Sequence, residues 1–142
     1  MKYSILILTL IFCLQSHGQS SDEWTLFKSS EGVEFYKKQT DCNPENIPNQ
    51  IGIIIKIVNT NSYSIKAEWD LRIWYNGEEQ TSNIKDQENH IAEIIPKKES
   101  VEGSCDKPNG SLYIFKKFTT FSEGAEMTHF QFDSVTISKS SK

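Results

Sequence analysis

Alternation of apolar and polar residues dominates this chain, and it predicts strands almost from end to end. The clearest run is Ile65–Tyr75. Ile65, Ala67, Trp69, Leu71, Ile73 and Tyr75 fall on one face, and Lys66, Glu68, Asp70, Arg72 and Trp74 on the other. Strand side chains alternate in direction, so this pattern predicts a strand with one face on a core and one face in water. Asn76-Gly77 ends it, because both residues tolerate positive φ. Residues 50–58 precede it, with Ile51, Ile53, Ile55 and Ile57 on one face and Gly52, Ile54, Lys56 and Val58 on the other. Apolar character on both faces predicts a central strand. The polar cluster Asn59-Thr60-Asn61-Ser62 links the two as a turn.

The same pattern predicts strands over 24–29 and 33–39, joined around Glu31-Gly32, and then over His90–Ile95, 100–105, 111–119 and 128–138. Pro96-Lys97-Lys98 and Asp106-Lys107-Pro108-Asn109-Gly110 punctuate the later strands as turns. About eight strands at this spacing predict an all-β fold, an antiparallel two-sheet β-sandwich. Its core should gather Trp69, Leu71, Ile73, Ile53, Ile55, Leu112 or its neighbour Tyr113, and Phe130. The alternation slips near Asp133-Ser134, where Phe130 and Phe132 give way to Val135 and Ile137; a bulge there would swap the faces. Residues 78–88 read as an exposed loop with room for a short edge strand. Residues 41–50, with Cys42, Pro44 and Pro48, read as a second loop, and 139–142 as a disordered tail. No window carries a helical period.

The N-terminus has a different pattern. Lys2 precedes an apolar run over 3–14, and Ser16-His17-Gly18 closes it with small residues around a polar spacer. That order matches a secretory signal peptide. Ile11 and Phe12 stand where a lipoprotein signal carries a small residue, so Cys13 reads as part of the apolar segment. Cleavage after Gly18 leaves residues 19–142 as a single domain that is exported to the periplasm or beyond. Cys42 and Cys105 are then the remaining cysteines, and an oxidising compartment predicts a disulfide between them.

Charge narrows the partners. The formal net charge is −4, and no basic cluster exceeds two adjacent lysines. A nucleic-acid binder would need a basic face, so that class is excluded. After residue 18 no apolar run approaches the roughly 20 residues of a membrane helix, so no membrane span is expected in the mature chain.

Val58-Asn59-Thr60-Asn61 leading into Ile65-Lys66-Ala67-Glu68-Trp69 carries a resemblance, together with Glu99-Ser100-Val101-Glu102-Gly103-Ser104-Cys105 and Leu112-Tyr113-Ile114-Phe115-Lys116-Lys117-Phe118. In these segments the chain resembles small secreted proteins of Gram-negative bacteria with an immunoglobulin- or fibronectin-III-like β-sandwich and no assigned activity. The resemblance implies the sandwich and brings no catalytic residues. The order Cys42, Trp69, Cys105 looks like an antibody domain, whose disulfide joins two core strands. Here Cys42 is expected in a loop instead.

Candidate chemistry is sparse. His90 and His129 are the only histidines beyond residue 18. A zinc site needs three or four ligands in tight groups. On a strand, His90 and Glu93 point to opposite faces, while His129 shares a face with Gln131 and Asp133. No nucleophile elbow, H-E-x-x-H pair, P-loop or dinucleotide fingerprint is present. Glu78-Glu79 and Glu68/Asp70 are paired carboxylates, but a glycosidase pair needs a cleft around it. The sequence therefore assigns no catalytic, cofactor-binding or metal-ligating residue, and no cofactor. It leans away from an enzyme. Trp74 and Arg72 on one polar face, and Tyr36 beside Glu34 and Lys38, form the candidate binding surface, since aromatics among charges stack on sugars or anchor protein partners. The expectation is an exported, non-catalytic binding or structural module of the cell envelope, with an unknown protein or glycan as partner. The alternative is a secreted glycan-binding protein or a small hydrolase.

Overall fold

The structure, a computed structural model, describes residues 23–80 and 89–141. The expected signal segment 1–18 lies outside the described residues, as does 81–88 of the expected polar loop. Among the described residues nine strands form two antiparallel sheets packed face to face. They are β1 (Thr25–Ser30), β2 (Val33–Cys42), β3 (Gln50–Asn59), β4 (Ile65–Tyr75), β5 (Glu78–Glu79), β6 (His90–Ile95), β7 (Ser100–Glu102), β8 (Tyr113–Phe118) and β9 (Met127–Lys139).

The larger sheet runs β1-β2-β3, and both β7 and β8 pair with β3. Strand β7 lies opposite Lys56 to Val58 and β8 opposite Gln50 to Ile54, so the two lie end to end along one edge of β3. Between them the chain leaves the sheet at Gly103, which donates to the Ile55 carbonyl. It returns at Leu112, whose carbonyl accepts from the Ile55 amide. A Cβ at Gly103 would run into the Leu112 carbonyl oxygen, so only glycine fits this exit. The smaller sheet is built the same way around β4. Strand β9 covers one edge of β4 from Ile65 to Tyr75, and β5 and β6 share the other.

The core lies between the sheets. Every inward residue of β4 named above contributes, from fully buried Ile65, Ala67 and Trp69 to half-buried Leu71, Ile73 and Tyr75 at the opening end. Ile53, Ile55 and Leu112 are buried in it, and Phe130 packs against it. The Trp69 ring stacks on Phe132 at 4.9 Å between centroids and meets Phe35 edge-on at 5.8 Å. Ser134 has φ 52°, and the pairing of β4 with β9 shifts between Glu68 and Asp70. This is the bulge expected at Asp133-Ser134. It lets Phe132, Val135 and Ile137 all reach the core.

Fully buried Asn59 ties the sheets together where the chain crosses from β3 to β4. Its side-chain amide donates among the carbonyls of Tyr63, Ile95 and Pro96 at 2.9–3.1 Å, and its Oδ1 accepts from the Asn61 amide at 3.0 Å. A buried amide with all these partners costs little and fixes one crossing geometry.

Three boundaries differ from expectation. Cys42 is the last residue of β2 rather than a loop residue, because Asp41 and Cys42 pair with Ile51 and Gln50 of the long central strand. Lys139 belongs to β9, opposite Ile65, and Ser140 still donates to the Ser64 carbonyl at 2.9 Å, so the tail is ordered further than its composition suggests. Cys105 lies beyond the end of β7, in the 103–112 excursion. Among the described residues no helix is long and apolar enough to cross a membrane.

Candidate functional site

The outer face of the smaller sheet collects the polar side chains of β4 and its neighbours. Arg72 and Trp74 stand one above the other on this face. The Asn76-Gly77 turn, with φ of 50° and 83°, folds β5 back on β4 and pairs Trp74 with Glu79. That register brings the Glu79 carboxylate onto the Arg72 guanidinium. Nε donates to Oε1 at 2.6 Å and Nη2 to Oε2 at 2.7 Å, a two-bond fork. On the other side Nη1 donates to Asp133 Oδ2 at 3.2 Å, from β9. The two carboxylates hold the arginine more firmly protonated than usual, chiefly through the Glu79 bonds and then the Asp133 bond. Asp133 is held below the ordinary carboxylate range, first by a hydrogen bond from Gln131 and then by Arg72.

The guanidinium so fixed lies 5.1 Å from the Trp74 ring centroid. His129, directly opposite on β9, places its ring 4.9 Å from Trp74. Trp74 is half-buried, with these two neighbours against its ring. Further along the face, His90 pairs with Asp70 across β4 and β6. His90 Nδ1 lies 2.9 Å from Asp70 Oδ1 and Nε2 3.5 Å from Glu68 Oε1, while Lys66 Nζ sits 2.7 Å from Glu68. Asp70 first and Glu68 second raise the His90 pKa above the ordinary imidazole value. A His–Asp pair serves a nucleophile through its other ring nitrogen. Here that nitrogen faces a second carboxylate, Glu68.

Tyr36 lies elsewhere. It is on the outer face of the larger sheet, where its hydroxyl donates to Glu34 Oε2 at 2.7 Å and its pKa is raised by that bond. Trp24 on this side lies 4.8 Å from Lys38 Nζ and 5.1 Å from Lys56 Nζ. The structure thus joins Arg72 and Trp74 and separates Tyr36 from both.

The Glu79 clamp was missed by sequence reasoning, although the two-residue turn carries the signal: Asn76-Gly77 fixes the register that sets residue 79 beside residue 74. Asp133 needed the β4–β9 register, which no local pattern encodes.

The Cys42–Cys105 disulfide is present, with its Cα atoms 5.4 Å apart. It pins the 103–112 excursion to the end of β2. Cys42, Ile54 and Tyr113 form a second small core on the outer face of the larger sheet. Among the described residues no group of three or more His, Cys, Asp or Glu is arranged to hold a metal ion.

No protein family matches the chain, and no curated protein or solved structure matches it.

Proposed function

We propose that this chain is an exported, non-catalytic binding module of the cell envelope, with an immunoglobulin-like sandwich as scaffold and the Arg72–Trp74 face as its recognition surface. The signal-like order of residues 1–18 and the disulfide support export. The observation that carries the recognition reading is the Arg72 fork, locked by Glu79 and Asp133 over the Trp74 ring on a rigid sheet. Groups held this way lose little entropy on binding. Exposed charges of no use would gain little from such a geometry.

Within this reading a glycan is the favoured partner class. Trp74 offers ring surface, and Gln131, Asp133, Glu79 and His129 stand beside it as fixed acceptors and donors for hydroxyl groups. Most of the charges are paired with one another, which suits a neutral ligand over a charged polymer.

The test uses a panel of neutral oligosaccharides, among them cellohexaose and chitohexaose, against the wild type, Trp74→Ala and Asp133→Asn. Binding by the wild type that falls roughly tenfold or more in both variants is the expected result. Equal binding by all three proteins overturns the assignment of this face. No binding by the wild type overturns the glycan class. Intact mass of the native protein should show loss of residues 1–18; retention of that segment overturns export.

A further inference from the structure

Strand β9 is a free edge of the smaller sheet. Its 13 residues pair with β4 on one side and, among the described residues, with no strand on the other. A free edge invites a further strand, and the other edges carry devices that discourage one. Strand β1 is short, bulged between Leu26 and Lys28, and carries that lysine. Strands β5 and β7 have 2 and 3 residues. Strand β6 sets Glu93 between the inward Ile91 and Ile95, and β8 carries Lys116 and Lys117. Residues 127–132 of β9 include no lysine, arginine, aspartate, glutamate or proline.

The far side of β4 shows which backbone groups of β9 face outward. The Gln80 amide donates to the Ile73 carbonyl at 2.9 Å, so Ile73 bonds toward β5. In an antiparallel ladder a residue turns its amide and carbonyl to the same side, so the pair of Ile73 with Phe130 is a non-hydrogen-bonded one. Phe130 therefore turns its amide and carbonyl away from β4. Phe132, opposite Leu71 in the same register, does the same. Among the described residues these four groups have no backbone partner.

The register with β4 shifts between Trp74 and Tyr75 and again between Glu68 and Asp70, which leaves residues 129–133 as a regular stretch with Gln131 at its middle. Two copies of one strand can pair antiparallel about a two-fold axis. An axis at Gln131 overlays the two regular stretches from end to end. Phe130 of each copy then lies opposite Phe132 of the other, and their outward groups meet in four main-chain hydrogen bonds. His129 of each copy lies opposite Asp133 of the other. An imidazole N–H can donate to that carboxylate, which keeps acceptor sites beyond its bonds from Arg72 and Gln131. Lys28 and Lys37 border this edge from the larger sheet. Lys37 Nζ lies 5.9 and 5.4 Å from the Phe27 and Phe130 ring centroids, so its charge rests on aromatic faces.

We propose that two copies of this chain pair along β9, antiparallel about an axis at Gln131, and join their smaller sheets into one. The complementarity of residues 129–133 with themselves selects a second copy over a foreign strand. The overlap is short, so the dimer is weak and forms at high protein concentration. Strands paired in this way keep the same face up, so the two Arg72–Trp74 surfaces lie on one side of the joined sheet. The dimer does not depend on what those surfaces bind.

The experiment is oxidative cross-linking. In the proposed dimer Gln131 opposes its own copy in a non-hydrogen-bonded pair, with Cα atoms about 4.5 Å apart, a separation that a disulfide spans. Gln131→Cys, with Cys13→Ser as the common background, should form a linked dimer under mild oxidation. Thr136→Cys, exposed on β9 beyond the bulge, should link about tenfold more slowly or less. Adding His129→Glu to Gln131→Cys sets like charges opposite each other twice and should slow linkage by about tenfold, while His129→Lys should not slow it. Equal rates for Gln131→Cys and Thr136→Cys indicate random collision and overturn the proposal, as does linkage indifferent to His129→Glu. Sedimentation of the wild type should show a reversible dimer, with the Phe130 and Phe132 amides gaining protection from exchange as it forms. A wild type that stays monomeric up to about 1 mM overturns the proposal as well.

Discussion

Trp69 and Trp74 belong to one strand and have opposite fates. Trp69 is fully buried, stacked on Phe132 and edge-on to Phe35. Trp74 is half-buried on the outer face, beside a guanidinium and an imidazole. An odd number of positions separates them, so the two-residue period of a strand sends them to opposite faces. Residue type does not decide the role of a tryptophan here; parity along β4 does. The inner face spends its aromatics on packing, and the outer face holds its aromatic in a frame of charges.

Truncating each tryptophan gives the sharpest separation. Trp69→Ala should cost roughly 3–5 kcal/mol in urea unfolding, because a large buried ring leaves a cavity. Trp74→Ala should cost about 1 kcal/mol or less, in keeping with a half-exposed position. Similar losses at both sites would break the comparison.

The disulfide comes next in size. It closes a loop with a sequence separation of 63, for which chain entropy gives about 4 kcal/mol as an upper figure. Replacing both Cys42 and Cys105 with serine should lower stability by about 2–4 kcal/mol. The same change should loosen the 103–112 excursion in hydrogen exchange while leaving the Arg72–Trp74 face protected. Loosening of both regions together would show that the two faces are not independent.

Much of this division was legible in the sequence. The faces of β4, the bulge at Ser134 and the turn at Asn76-Gly77 are local patterns, and each is found where alternation or positive φ requires it. The disulfide followed from the count of cysteines after residue 18. The end of β2 was not legible. The strand was expected to stop at Gln39; Thr40, Asp41 and Cys42 carry no alternation of their own and join it because Gly52, Ile51 and Gln50 of β3 offer partners. The excursion between β7 and β8 was equally hidden, since a chain that leaves and rejoins the same edge has no period to mark it. At the candidate site, Arg72 and Trp74 could be paired from sequence spacing alone. Tyr36 could not be separated from them until the sheets were assigned.

The smallest expected effect concerns His90. Asp70 and Glu68 raise its pKa in the folded protein, so folding favours its protonated form. The stability this contributes is fully present below the ordinary imidazole value of about 6.5 and is lost as pH rises through the higher folded value. His90→Gln should therefore lower Tm slightly at about pH 5 and leave it unchanged at about pH 9, as expected of an exposed pair. A deficit that grows with pH would reverse the assigned sign.

Hydroxyl-radical footprinting of the native protein tests the division of β4 most directly, because it reads the exposure of both tryptophans in one sample without mutation. Trp74 should oxidise readily and Trp69 should stay protected until the protein unfolds. Oxidation of Trp69 at the rate of Trp74 in the folded state would contradict the account.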